Sequence, residues 1–170
     1  MGDHLRAVSG YAQRAPVHAG FNSMYEHVLL PTDGSEPAAA AAWHALGIAG
    51  KYDATLHAIF AIDTGTSWLT VSKDEVHDAL WELGQETSED VLRDVQTAAV
   101  EADVELVTDV LEGPADERIV EYAGEFGIDL IVMGTHGRAG LEHRLLGSVT
   151  ERVIRGTAIP VMTVTAQSEL

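Results

Sequence analysis

A chain of 170 residues is long enough to bury a core of its own, and without cysteine it has no disulfide, thiol nucleophile or thiolate-bound metal. Its 27 aspartates and glutamates outweigh 10 lysines and arginines, and a net charge of −17 repels nucleic acid and acidic membranes alike. Apolar runs fall short of the ~20 residues of a membrane span, and residues 1–23 lack the apolar core of a signal peptide, so the expected location is cytoplasmic.

Residues 1–23 mix Gly, Ala, His and Arg without periodicity and read as a disordered tail, leaving residues 24–170 as a single domain with Met24 as a candidate initiator. A first strand is expected over 27–31, running into Thr32-Asp33-Gly34-Ser35. Asp33-Gly34 signals a turn, and Ser35 is placed to cap an Ala-rich helix reaching about Gly50, with Pro37 in its first turn. A second strand is expected over 54–62, then a loop, then a helix over 73–102. That helix carries Val76, Leu80, Leu83, Val91, Val95, Ala98 and Ala102 on a face expected to be buried. Asp78, Glu82, Glu86, Glu89 and Glu101 lie opposite and read as solvated surface.

A third strand is expected over 105–111. Gly113-Pro114 opens a helix through Ile119, Val120, Ala123 and Phe126, and Gly127 closes it. A fourth strand follows over 129–133, a helix over 148–155 capped by Gly156, and a last strand over 160–165. Short apolar strands alternating with amphipathic helices predict an α/β parallel sheet with helices on both faces. Ligands in such sheets bind at the carboxyl ends of strands, where strand order reverses. If the first strand is central and the fourth lies beside it, the turn at Pro31, Thr32 and Asp33 faces the loop that begins at Gly134.

That loop, Gly134 to Ser148, is the most informative stretch. Its glycines read Gly134, two residues, Gly137, nine residues, Gly147, Ser148, matching neither GxxxxGK[ST] nor GxGxxG. Glycines admit close backbone approach, and the free N–H groups of a helix start favour an anion, so the layout suits a phosphate cradle. A plain strand-to-helix connection has the same ingredients. Charge favours the cradle. Arg138, Arg144, Arg152 and Arg155 stand against Glu142 and Glu151, a local excess of two positive charges in an acidic chain. Arg152 and Arg155 have a second explanation in the dipole of their own helix. At about 1 M salt the Debye length falls to about 3 Å, which screens the self-repulsion of so acidic a chain. A halophilic, high-salt cytoplasm and an ordinary acidic protein both fit that balance. The remaining histidines show no HxH or HExxH spacing, and no metal site is assigned to them.

Together, Val-Leu-Leu-Pro-Thr-Asp-Gly-Ser, Met-Gly-Thr-His-Gly-Arg, Leu-Leu-Gly-Ser-Val-Thr-Glu-Arg-Val-Ile and Pro-Val-Met-Thr-Val resemble the ATP-binding branch of the universal stress protein family across residues 24–165. The resemblance implies a Rossmann-like domain (adenine nucleotide alpha hydrolase-like), five strands in the order 3-2-1-4-5, and a homodimer paired through the last strand. It also implies that Asp33 contacts the adenosine end of ATP (or ADP or AMP), that Pro31 and Thr32 line the pocket, and that main chain near Ala61 meets the adenine edge. Met133, Gly134, His136, Gly137, Gly147, Ser148 and Val149 would surround ribose and phosphates, with Thr150 adding a hydroxyl. Arg138-Ala139-Gly140 is where the chain departs from the family pattern, and it places the Arg138 cation within reach of the phosphates. Mg²⁺ or Mn²⁺ would accompany the phosphates. Asp33 as a mere turn residue and Ser148 as a mere cap are the local alternatives. Three functions follow: a nucleotide-dependent stress-response module, a slow ATPase or nucleotidyl-transferring enzyme, and a nucleotide-free dimeric interaction protein. Against the enzyme stands the lack of a P-loop lysine or evident general base beside the loop. Against the last stands the intact glycine spacing.

Overall fold

The computed structural model describes residues 24–65, 73–136 and 146–166. The expected tail, the loop after the second strand and most of the glycine loop, with Gly137 and Arg138, lie outside the described residues. Among the described residues nine elements follow in alternation: β1 (His27–Pro31), α1 (Glu36–Tyr52), β2 (Thr55–Ile62), α2 (Lys73–Glu101), β3 (Leu106–Glu112), α3 (Ala115–Glu125), β4 (Leu130–Gly134), α4 (Ser148–Gly156) and β5 (Val161–Val164). The strands form one parallel sheet in the order β3-β2-β1-β4-β5, as expected. No helix among the described residues is long and apolar enough to cross a membrane.

Past His27, β1 is apolar, and β4 is apolar throughout, because both faces of these strands are covered. Val28 and Leu30 of β1 and Leu130 and Val132 of β4 join the core beneath α1 and α2. Leu29, Ile131 and Met133 point the other way, into the core shared with α3 and α4. Helix α1 presents Ala38, Ala41, Ala45 and Ala49 to the sheet, all nearly inaccessible, so its backbone lies close to β1 and β4. The Ser35 hydroxyl accepts the Ala38 N–H as its cap. The helix outruns Gly50 and closes at Asp53, which takes the left-handed conformation at φ 55°.

Two expectations are corrected. The buried stripe of α2 is displaced in its first half, where Leu83 is 62% exposed and Leu80 37%, and Ala102 lies exposed just past the helix end; Trp81, Gly84, Ser88, Leu92, Val95 and Ala99 meet the sheet side. Gly84 and Ser88 escape a count of apolar residues, yet small size is what that face needs. A Cβ on Gly84 would stand 2.6 Å from Ile62 Cγ2. Gly156 is the last residue of α4, not its cap; the cap is Thr157, in an extended conformation. Gly156 serves close helix contact instead, since a Cβ there would lie 3.2 Å from Val120 Cγ2 of α3.

Beneath α3, the core encloses a polar chain. His57, 1% exposed, has Nδ1 3.0 Å from the Tyr122 hydroxyl and Nε2 3.1 Å from His27 Nδ1. Burial, with His27 adding a smaller effect, lowers its pKa from 6.5 to about 4. The unfolded chain therefore takes up a proton on His57 near pH 6.5 that the folded chain refuses, and stability is lost as pH falls from 6.5 toward 4. Urea unfolding is expected to show this group costing about 1–2 kcal/mol between pH 6.5 and 5. The His57→Phe variant, less stable at neutral pH, should lack that part of the slope; equal slopes in the two proteins would refute the assignment.

Candidate functional site

Strand order reverses between β1 and β4. Helix α1 leaves β1 on one face toward β2, and α4 leaves β4 on the other toward β5, so a crevice opens at the carboxyl ends of these two strands.

The β1 side is a braced turn. Thr32 extends the ladder by donating its N–H to the Ile59 carbonyl at 2.9 Å, and its buried hydroxyl accepts the Gly34 N–H at 3.3 Å. Gly34 sits at φ 76°, a conformation that glycine adopts without steric cost. Asp33 Oδ1 accepts the Ser35 N–H at 3.0 Å, so the carboxylate does shape the turn. Asp33 is only half-buried at the crevice, which is compatible with a ligand contact as well.

The β4 side is stitched to the start of α4. Gly147 donates its N–H to the Thr135 carbonyl at 2.7 Å, and Thr135 donates its own to the Val164 carbonyl at 2.8 Å. Thr150, 2% exposed, donates its hydroxyl to the Gly134 carbonyl at 2.9 Å. That proton is committed inward, so Thr150 holds the cradle together and has no hydroxyl proton to offer a phosphate. Gly134 and Gly147 also serve close packing of the chain on itself. A Cβ on Gly134 would lie 2.9 Å from Ala38 N and from Pro37 C, and one on Gly147 would lie 3.1 Å from the Thr135 carbonyl. Chain packs against chain at both positions.

The two sides touch: Ser35 Oγ lies 3.4 Å from the His136 carbonyl, and His136 Nδ1 lies 3.1 Å from Thr135 Oγ1. Beside them α4 begins at exposed Ser148, and its N-cap residue, Gly147, has no side chain with which to cap the first-turn N–H groups. Helix N-termini of this kind favour anions through their free donors and dipole. Thus Pro31, Thr32, Asp33, Gly134, His136, Gly147 and Ser148 are gathered at one end of the sheet. Met133 and Val149 are there by main chain only, since their side chains pack into the core under α3 and α4. Ala61 lies further along the same edge: Pro31 pairs with Ile59, and Ala61 is two residues beyond it on β2.

The arginine excess is weaker than the sequence implies. Arg152 pairs with Asp116 of α3 at 3.4 Å and Arg155 with Glu151 at 2.8 Å, leaving Arg138 and Arg144 outside the described residues. Among the described residues no group of three or more His, Cys, Asp or Glu side chains is arranged to hold a metal ion.

One cluster has no counterpart in the sequence motifs. Past the end of β2, buried Thr64 donates its hydroxyl to Glu112 Oε1 at 2.8 Å, and His77 Nε2 lies 2.6 Å from the same oxygen. The partners are 48 and 35 residues apart, so no local spacing could reveal them.

Comparison with known proteins agrees with this architecture. A model of the universal stress protein family matches residues 24–165. The chain is 38% identical over 160 residues to Universal stress protein MJ0531 of Methanocaldococcus jannaschii, covering 94% of this chain and 93% of that one. The solved universal stress protein UspA from Lactobacillus plantarum is 28% identical, with a TM-score of 0.77 and coverage of 82% and 97%. A universal stress protein solved in complex with cAMP is 26% identical, with a TM-score of 0.62 and coverage of 84% and 98%. The motifs at both ends of the chain, the strand order and these relatives agree: the chain belongs to the universal stress protein family.

Proposed function

We propose that this chain is a cytoplasmic, nucleotide-dependent stress-response module that binds ATP (or ADP or AMP) across the crevice between β1 and β4, its occupancy biasing conformation or partner choice. The observation that carries this reading is the meeting of two strand-end turns, Ser35 Oγ with the His136 carbonyl, beside the start of α4, whose N-cap is a glycine. The turn offers a carboxylate acceptor for sugar hydroxyls in Asp33, and α4 offers N–H donors and the Ser148 hydroxyl for phosphates. A relative of 26% identity solved with cAMP, itself an adenine nucleotide, supports the ligand class.

In this reading Pro31 and Thr32 line the pocket and main chain near Ala61 meets the base. Gly134, His136, Gly137, Gly147, Ser148 and Val149 surround ribose and phosphates, with Arg138 able to reach them. Residues 24–170 are taken as one nucleotide-binding domain. Mg²⁺ or Mn²⁺ would be held chiefly by the phosphates, as hard cations preferring oxygen ligands. A homodimer through β5 completes the proposal. That strand ends the sheet, Met162 on it is 38% exposed, and an open edge invites pairing with its twin. A net charge of −17 favours a halophilic setting, where salt screens self-repulsion.

Calorimetric titration in about 1 M KCl, where the Debye length is about 3 Å, should give saturable heat with an adenine nucleotide. No heat with ATP, ADP or AMP would overturn the binding reading. Gly134→Ala pushes a methyl against the first turn of α1, and is expected to lower stability by about 1–3 kcal/mol and to weaken nucleotide binding at least about tenfold. Unchanged affinity in that variant would move the site elsewhere. Light scattering in the same buffer should report a dimer, and Met162→Pro should yield monomer; a wild-type monomer would remove the edge-strand interface.

A further inference from the structure

We propose that the chain Thr64–Glu112–His77 is a positioning latch that fixes the end of β2, so that nucleotide affinity follows the protonation of His77. The inference rests on reading the crevice as a nucleotide site, in which main chain near Ala61 meets the base.

One carboxylate oxygen joins three elements. Glu112, the last residue of β3, pairs with Ile62, the last residue of β2. Its Oε1 accepts the hydroxyl of Thr64, two residues past β2, and lies 2.6 Å from Nε2 of His77 on α2. The same strand end is held by the Gly113 N–H donating to the Ile62 carbonyl at 2.9 Å, and α2 presses on Ile62 where Gly84 leaves room. Thr64 is 8% exposed, so its hydroxyl is committed to this acceptor and not to water. Residues 61–64 are therefore held by contacts from β3 and α2 together.

The proton on His77 completes the latch. As imidazolium it donates from Nε2 to Glu112 and from Nδ1 to Asp78, 3.4 Å away; as neutral imidazole it keeps one N–H, and one carboxylate then faces a lone pair. The hydrogen bond to Glu112, then that to Asp78, raises the His77 pKa above 6.5, and the Thr64 hydroxyl, then His77, lowers that of Glu112. The latch is thus at full strength below pH 6.5 and weakens as pH rises through the folded-state value, where the imidazole loses its charge and one of its two donors. Among the described residues, the other charged groups at this corner are Asp63, which accepts the Gly65 N–H at 2.9 Å, and Arg118 of α3, which packs against Gly113 and pairs with Glu121. His77 and Glu112 side chains are 43% and 47% exposed, so solvent moderates the effect.

The test measures ATP affinity by calorimetry from pH 6 to 8.5 in wild type, His77→Gln and Glu112→Gln, with the His77 ring titrated by NMR. In the first variant the glutamine amide would still donate to Glu112 but does not titrate. Wild-type affinity is expected to fall about two- to fivefold relative to His77→Gln as pH rises through the measured His77 pKa. Taking the ratio of the two proteins cancels titration of the phosphates. Glu112→Gln should lower the His77 pKa and move the wild-type transition to lower pH. Binding with coincident profiles in wild type and His77→Gln overturns the latch and leaves the nucleotide site standing. No heat in any of the three proteins overturns the nucleotide site, and the latch with it.

Discussion

The missing side chain at Gly134 is the constraint on which the crevice depends. Because a Cβ there would meet Pro37 and the Ala38 amide at 2.9 Å, the first turn of α1 can lie directly on the end of β4. That contact brings Ser35, which caps α1, against the His136 carbonyl, so the turn after β1 and the turn after β4 become two walls of one cleft. The cleft floor is then tied to α4 by the Gly147 amide on the Thr135 carbonyl and by the buried Thr150 hydroxyl on the Gly134 carbonyl. Close packing of backbone on backbone positions the groups that line the crevice, which is why glycine is needed at these points of contact.

Electrostatics divides the molecule. The carboxylates Asp78, Glu82, Glu86, Glu89 and Glu101 stand exposed along α2 and act chiefly through their summed field. Two histidines show how environment overrides residue type. His57 in the core is held neutral by burial, whereas His77 at the surface holds its proton more tightly because carboxylates accept from both ring nitrogens. They respond to pH with opposite sign, one to protein stability, the other to the arrangement of a strand end.

Much was legible in the residues. The continuous apolar runs at β1 and β4 announce strands covered on both faces, and the Ser35 cap and the Asp33-Gly34 turn form as local chemistry requires. What misled was counting by class. On α2, hydrophobicity put Leu80 and Leu83 inside, while the sheet demanded the small Gly84 and Ser88. Near the glycine loop, the charge sum counted Arg152 and Arg155, with their helix dipole as the alternative explanation, and the structure pairs them with Asp116 and Glu151. Thr150 reads as an available hydroxyl in the sequence and proves to be a buried brace.

Local pattern by itself determined the alternation of strands and helices and most of their ends, because periodicity, capping and turn chemistry act over a few residues. The family motifs carried the strand order and the site assignments. Only the tertiary structure decided which groups are spent holding the crevice and which are left facing it. It also disclosed the Thr64, Glu112 and His77 cluster, whose members are separated by 35 and 48 residues. The physical reason is one of range. A hydrogen bond or an excluded methyl is settled by which chain segment lies a few ångströms away, and that neighbour is chosen by the sheet order and by the helices packed across it.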